Sequence, residues 1–479
     1  MGGTPTSSGS GSAQSTAQPD AVAARLSVGR DTPRVRRTIF QLAWPVFAEN
    51  ILFTLTQVVG MIMVGHLGPE AITAIGLSMQ PLWLVHGFFM GLGAGTTALV
   101  ARFVGAREPA DADQAAHQSF LLGTALALVV GVVAFPFTRQ IVALMGAEAG
   151  VVELGSLYLQ YLIPGLLLMM VFTVLTAALR GAGDTRTPMW INAAASVLNL
   201  ALSWVLIYGG LGLPAMGVAG AGLAGSISRS FGCLVLLALV FTGRTVISFR
   251  EPASRLKWAF LKPDVEVMAR VIRIGVPAAL ERLVSSLGML FYTRVVAALG
   301  TVAFAAHSLA LNIESLSYMP GIAFSVAATT LVGQNLGAGK PQEAESSGWE
   351  CNRLGMWVMG VMGAVFFAFP AALLRLYTDD AAVIALGVVA LRVVAFMQVP
   401  EAVGFILSGA LRGAGDTRSV LYIATIGVWV ARLGTSLVFV TWLGWGLLGA
   451  WLAMACDWVV RSGYLVYRFR AGTWKKLTV

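Results

Sequence analysis

Twelve apolar segments, each long enough to cross the hydrocarbon core of a bilayer, follow one another along the chain. They lie at approximately 39–65, 71–104, 116–138, 153–179, 188–209, 215–243, 271–299, 303–336, 349–374, 383–411, 419–440 and 446–467. A helix needs about 20 apolar residues for that crossing. The short alternating stretches of barrel strands are missing from the sequence. In lipid the backbone must satisfy its own hydrogen bonds, which leaves helices as the spanning structure. Composition points the same way: 57% of the residues are hydrophobic and 11% charged, against roughly 25% charged in a soluble domain. Such a chain cannot cover itself with polar surface in water. The fold class expected is all-α integral membrane, with about twelve transmembrane helices.

The net charge of +9 does not point to nucleic acid, because the basic residues cluster in short segments between apolar runs, as charge that orients a membrane protein does. With the N-terminus inside, the inner loops hold Arg102, Arg107, Arg180, Arg186, Lys340, Arg412 and Arg418, the basic stretch Arg244 to Arg273, and a tail with Arg468, Arg470, Lys475 and Lys476. The outer loops hold only Arg139 and Arg375 as cations, beside Glu70, Glu148, Glu153, Asp379 and Asp380. Both termini are therefore expected in the cytoplasm, with the protein multi-pass in the cell inner membrane. Residues 1–37 open as a Ser-, Gly-, Ala- and Thr-rich tail that reads as disordered. It has no basic start followed by an apolar core and cleavage site, so it is not a secretory signal.

Cys233, Cys351 and Cys456 are odd in number and lack paired spacing, so neither a disulfide framework nor a zinc site is expected. No Walker A pattern, dinucleotide fingerprint, HExxH or nucleophile elbow is present, so neither an enzyme nor a resident cofactor or metal is expected.

The chain repeats internally at a constant offset. Pro45 falls on Pro277 and 277 − 45 = 232; with that offset Glu49 meets Glu281, Gly105-Ala106 meets Gly337-Ala338, and Arg229 meets Arg461. ALRGAGDTR at 178–186 recurs unchanged at 410–418. Four of those nine residues are polar or charged, so hydrophobic composition alone does not produce the match. Six helices per half place the halves in parallel, related by an axis along the membrane normal. The expected organisation is a tail at 1–37, an N-lobe at 38–243, a cytoplasmic linker at 244–270, a C-lobe at 271–467 and a cytoplasmic tail at 468–479. The two lobes are pseudo-symmetric, with a central cavity between them.

Several of these segments resemble the multidrug and toxic compound extrusion (MATE) family, within the wider drug, oligosaccharidyl-lipid and polysaccharide exporter superfamily. The resemblance is carried by the Pro near the start of segments 1 and 7, by VGHLGPEAITAIGLS, by LRGAGDTRTP, by PGIAFSVAATTLVGQNLGAGKP and by the second RGAGDTR, and it covers nearly all of residues 38–470. It implies two lobes alternating between outward-open and inward-open forms, with an inward flux of protons or sodium ions driving export of bulky, often cationic organic compounds. It also implies a protein that acts on small molecules within the bilayer as a monomer. Many bacterial relatives carry an aspartate in the first helix at the position that is Gly60 here, so an N-lobe cation site resting on that aspartate is in question.

An ionisable group at mid-membrane costs about 2.5–3.5 kcal/mol on insertion scales, so a helix keeps one where it faces a cavity or a partner. Glu281 lies eight residues past Arg273, about 12 Å into the membrane at ~1.5 Å per residue. Glu401 lies eleven residues before Arg412, about 16 Å from the inner face, and Pro400 frees the carbonyl four residues back. These two are the expected cation-coupling carboxylates; an acid on helix 10 also matches the family's C-lobe. Glu49, Glu314, His307 and Asp457 are secondary candidates, with Asp457 spaced to pair with Arg461. Asn50, Gln57, Ser285, Tyr292, Gln398, Met289 and Met319 are the expected cavity residues. Against an exporter stands one rival, a flippase for a lipid-linked saccharide, for which more cationic residues in the cavity are expected. The RGAGDTR loops read as structural turns, with Thr187 and Ser419 as helix caps.

Overall fold

In the computed structural model, residues 32–210, 212–249 and 262–477 are described; most of the N-terminal tail and part of the linker lie outside them. The N-lobe comprises α1 (Thr32–Gly65), α2 (Pro69–Ala106), α3 (Pro109–Ala134), α4 (Ala149–Gly181), α5 (Arg186–Tyr208) and α6 (Val218–Phe241). The C-lobe comprises α7 (Val265–Ala297), α8 (Thr301–Gly337), α9 (Pro341–Ala368), α10 (Ala381–Gly413), α11 (Thr417–Trp442) and α12 (Gly446–Ala471). No strand occurs among the described residues apart from one isolated bridge, Gly210–Leu213. Eleven of the helices are long and apolar enough to cross a membrane. The twelfth, α12, matches α6 in the repeat but carries Asp457 and Arg461 in mid-helix and Arg468 and Arg470 in its last turn.

Two boundaries differ from the sequence reading. Helix α1 begins at Thr32, because its first turns are held down: Val35 is buried, and Arg36 Nε donates to Glu350 at 2.6 Å. At the other end Trp474 is fully buried and stacks on Phe469 at 4.6 Å, so the start of the tail packs onto the C-lobe. The RGAGDTR turns are also capped differently. Asp184 accepts from the backbone of Arg186 and Thr187 and from the Thr187 hydroxyl, and Asp416 accepts from Ser419 N. A carboxylate three residues ahead outcompetes the hydroxyls as acceptor for these orphan N–H groups. The chain turns just before at Gly183 and Gly415, with φ of 92° and 87°, a region that favours glycine.

The repeat is visible atom by atom. Thr97 Oγ1 donates to Ala177 O and Thr329 Oγ1 to Gly409 O, each at 2.8 Å and each displaced by 232 residues from the other. The lobes meet chiefly through α2 on α7, α8 on α1, and α2 on α8. The last contact is reciprocal: a Cβ at Gly105 would lie 1.9 Å from Gln334 O, and one at Gly337 would lie 1.9 Å from Arg102 O. Glycine is what lets these two backbones touch.

Around that crossing the RGAGDTR end is sealed. Arg102 donates to Ala414 O and Leu477 O, Thr330 to Arg180 O at 2.8 Å, and Gln334 to Gly181 O at 2.9 Å. Among the described residues no hydrogen bond or ion pair joins the lobes at the opposite end. Contact between α2 and α7 persists as far as Gly87, whose Cβ would lie 3.8 Å from Arg282 Cβ. Beside these contacts the lobes line a cavity that reaches from Arg180 and Arg412 near the sealed end to Gln57 and Met79 toward the other.

Candidate functional site

The cavity has a volume of about 860 Å³ and draws side chains from both lobes. Its apolar walls include Phe53, Trp83, Phe172 and Phe405, with Met79, Met90, Met169 and Met289 as adaptable fillers. Of the cavity residues expected from sequence, Asn50, Gln57, Ser285 and Met289 line it. Tyr292, Gln398 and Met319 do not; all three are buried inside the C-lobe. For Tyr292 the reason is a helix crossing. A Cβ at Gly288 would sit 1.9 Å from Val428 Cγ1, so α11 covers the face of α7 beyond that glycine. Gln398 is turned toward α9, its Cβ 3.2 Å from a Cβ placed at Gly363. Met319 is one residue, about 100° of helix, from the cavity-lining Tyr318.

Glu49 and Glu281 line the cavity as repeat mates, and both are fully engaged. Arg180 Nη2 lies 2.7 Å from Glu49 Oε2, and Asn192 Nδ2 donates to Oε1 at 2.5 Å. Arg412 donates to both oxygens of Glu281, at 2.6 and 3.3 Å. The two arginines are the first of each ALRGAGDTR motif, so the duplicated motif supplies the cavity's ion pairs as well as a turn. The reading of the motif as a turn alone missed this. The sequence shows that acid and arginine both recur in each half, but the equal spacing, 180 − 49 = 412 − 281 = 131, follows from the constant offset and does not by itself mark a pair.

Glu401 occupies a different place. It is 2% exposed, accepts from Gln398 Nε2 at 3.1 Å, and lies within electrostatic reach of Glu314 and Arg432 rather than beside Glu281. The structure therefore separates the two carboxylates grouped from sequence and brings Glu401 to Glu314. Nearby, Asp457 has no exposed surface and holds two guanidiniums, Arg432 at 2.8 Å and Arg461 through both its side-chain oxygens. Gly427 lets this pair press against α11, since a Cβ there would lie 2.2 Å from Asp457 Oδ1. The helix is π-wound over Ile426–Gly434, the stretch that carries Arg432. Such widened turns recur at functional sites.

His307 packs between Tyr292 and Trp451, with ring centroids at 5.8 and 5.3 Å. Both of its ring nitrogens are buried without a hydrogen-bond partner, as are Glu314 Oε1 and Gln398 Oε1. This C-lobe cluster touches the cavity through Arg432, which lines it, and through Tyr318, which lies within electrostatic reach of Glu314, Glu401 and Arg282.

The N-lobe has no counterpart. At the constant offset Glu314, Glu401, Asp457 and Tyr292 correspond to Leu82, Met169, Gly225 and Gly60. Gly60 is thus one of several positions at which the N-lobe lacks the polar group that its C-lobe mate carries.

Two six-helix lobes around one central cavity, sealed at one end, define a multi-pass membrane transporter. The family model described as MatE matches residues 45–205 and 277–438, two stretches that begin 232 residues apart. The chain is 31% identical over 453 residues to a Thermotoga maritima protein named "Probable multidrug resistance protein NorM", covering 94% of this chain and 95% of that one. Among solved structures, an outward-facing multidrug resistance MATE family transporter of the MOP superfamily superposes with a TM-score of 0.85 at 26% identity, covering 95% of this chain and 99% of that one. A MOP superfamily transporter from Pyrococcus furiosus, whose reversed pocket polarity was taken to suggest a different function, matches with the same score, identity and coverage. The chain belongs to the MatE family of multidrug efflux transporters.

Proposed function

We propose that this transporter is a secondary active exporter of amphipathic small molecules, driven by inward movement of protons or sodium ions at the Glu314–Glu401 cluster. One observation carries the reading. Two carboxylates and an amide share a buried site with unpaired oxygens, Glu314 Oε1 and Gln398 Oε1, connected to the cavity through Arg432 and Tyr318. Membrane interiors keep such groups where an ion or proton passes.

Because these acids stand behind the cavity wall, ion and substrate do not compete for one carboxylate. Coupling instead works through the lobes, by binding the ion differently in the two arrangements. The rim seal formed by Arg102, Thr330 and Gln334 must break for the RGAGDTR end, taken as cytoplasmic, to open. A second reading, a flippase for a lipid-linked saccharide, is favoured by the arginines in the cavity.

The test is efflux of fluorescent amphiphiles from proteoliposomes with a pH gradient or a sodium gradient imposed separately. One gradient should drive efflux, and Glu401→Gln and Glu314→Gln should each cut the driven rate at least tenfold while preserving insertion and substrate binding. Wild-type rates in both variants under either gradient would place the ion site elsewhere.

A further inference from the structure

The charge of the cavity is opposite to that expected for an organic-cation exporter. Six arginines line it, Arg180, Arg229, Arg282, Arg412, Arg432 and Arg461, against two carboxylates, Glu49 and Glu281. A cation entering would find both carboxylates already bonded through both oxygens. Of the arginines, Arg180 and Arg412 are neutralised by those acids, and Arg432 and Arg461 share Asp457. Arg229 and Arg282 have no ion pair or hydrogen bond among the described residues, and Arg229 Nη1 is buried without a partner.

The repeat explains the free arginine on α6. Arg229 and Arg461 are mates, and in the C-lobe Arg461 is answered by Asp457 one turn earlier. In the N-lobe that position is Gly225, where a Cβ would lie 3.4 Å from Arg229 Nη1. That position carries no side chain, and Leu162 Cδ1 would lie 3.0 Å from a Cβ there, so no acid answers Arg229 from its own helix. From the other lobe Arg282 approaches at Gly87, and His86 lies within electrostatic reach of both arginines. Two guanidiniums, one per lobe, thus converge on the same part of α2.

We propose that the substrate carries an anionic group, a carboxylate, sulfonate or phosphate, held between Arg229 and Arg282 with its apolar body on the methionine and aromatic walls. Guanidinium forks suit the oxygens of such anions. An anion there also neutralises charge that would otherwise be enclosed when the lobes close. This rests on the exporter reading only in taking the cavity as the transport route.

The experiment is fluorescence anisotropy with the full chain in neutral-lipid nanodiscs, using fluorescein and rhodamine 123, which share a xanthene body and differ in charge. Fluorescein should bind at least tenfold tighter. Arg229→Gln and Arg282→Gln should each weaken fluorescein about tenfold without weakening rhodamine 123, and Arg229→Lys should recover part of the loss. Gly225→Asp should reproduce the loss and the equally bulky Gly225→Asn should not, which separates charge from misfolding. Tighter binding of rhodamine 123, or equal effects of the substitutions on both dyes, overturns the proposal.

Competition identifies the source of the anion: displacement by octyl phosphate points to a free amphiphile, displacement only by a polyprenyl phosphate in the disc to a lipid headgroup, and displacement by neither counts against the site. Since no gradient is involved, anion binding without driven efflux sinks only the exporter reading. Driven efflux with charge-blind binding sinks only this one.

Discussion

At the residue scale the decisive feature is how each buried charge is answered. Asp457 holds Arg432 and Arg461 together with no surface exposed, the most enclosed ion cluster of the C-lobe. Removing one partner of a buried pair leaves the rest uncompensated, at a cost of about 3–5 kcal/mol. Asp457→Asn keeps the shape but strands two guanidiniums. It should lower the thermal unfolding midpoint in detergent markedly and reduce yield. Glu49→Gln should be milder, because Arg180 and Asn192 can still bond an amide oxygen and the pair is partly exposed to the cavity. Equal midpoints for Asp457→Asn and wild type would show that the cluster contributes no stability and is maintained for function alone.

The helices work as rigid pieces joined where glycine allows backbone contact. Gly105 and Gly337 form the symmetric crossing of α2 and α8 at the sealed end, and a methyl on either would overlap a carbonyl oxygen of the other lobe. Overpacking of this kind costs typically about 1–3 kcal/mol, and here it acts only on the arrangement in which the crossing is closed. Gly105→Ala and Gly337→Ala should therefore shift the population toward opening at that end. The readout is a cysteine at Ala414, which is fully buried in this arrangement. Its labelling rate should rise several-fold in either variant, and an unchanged rate would mean that the crossing does not gate access. α11 shows the opposite use of winding: its π-helical stretch and Gly427 bring Arg432 and Asp457 together across two helices.

For the whole molecule the question is which face the sealed end meets. In the orientation expected from the loop charges, the RGAGDTR end faces the cytoplasm and the present arrangement is the one open to the outside. Arg186 and Pro69 lie at opposite ends and both are exposed. A cysteine at Arg186 should react with an impermeant maleimide only when the cytoplasmic face is accessible, and one at Pro69 only from outside. Reaction of the Arg186 cysteine from outside would invert the protein, and with it the direction of transport.

The sequence by itself determined the helices, their number within one, the two-lobe repeat and the family, because these depend on local apolarity and on identities at a constant offset. It also singled out the intramembrane acids, since charge in an apolar run stands out without any structure. Partnership was legible only where both members sit on one helix, as with Asp457 and Arg461. Tertiary structure decided the rest. It gave Glu281 to Arg412, set Glu401 beside Glu314, closed Tyr292 off behind α11, and turned Arg229 and Arg282 toward the cavity from different lobes. Which face of a helix meets lipid, a neighbour or the cavity depends on helix crossings. Those are set by contacts between residues on different helices, from Gly363 and Gln398 to Gly91 and Ala279, and no local pattern encodes them.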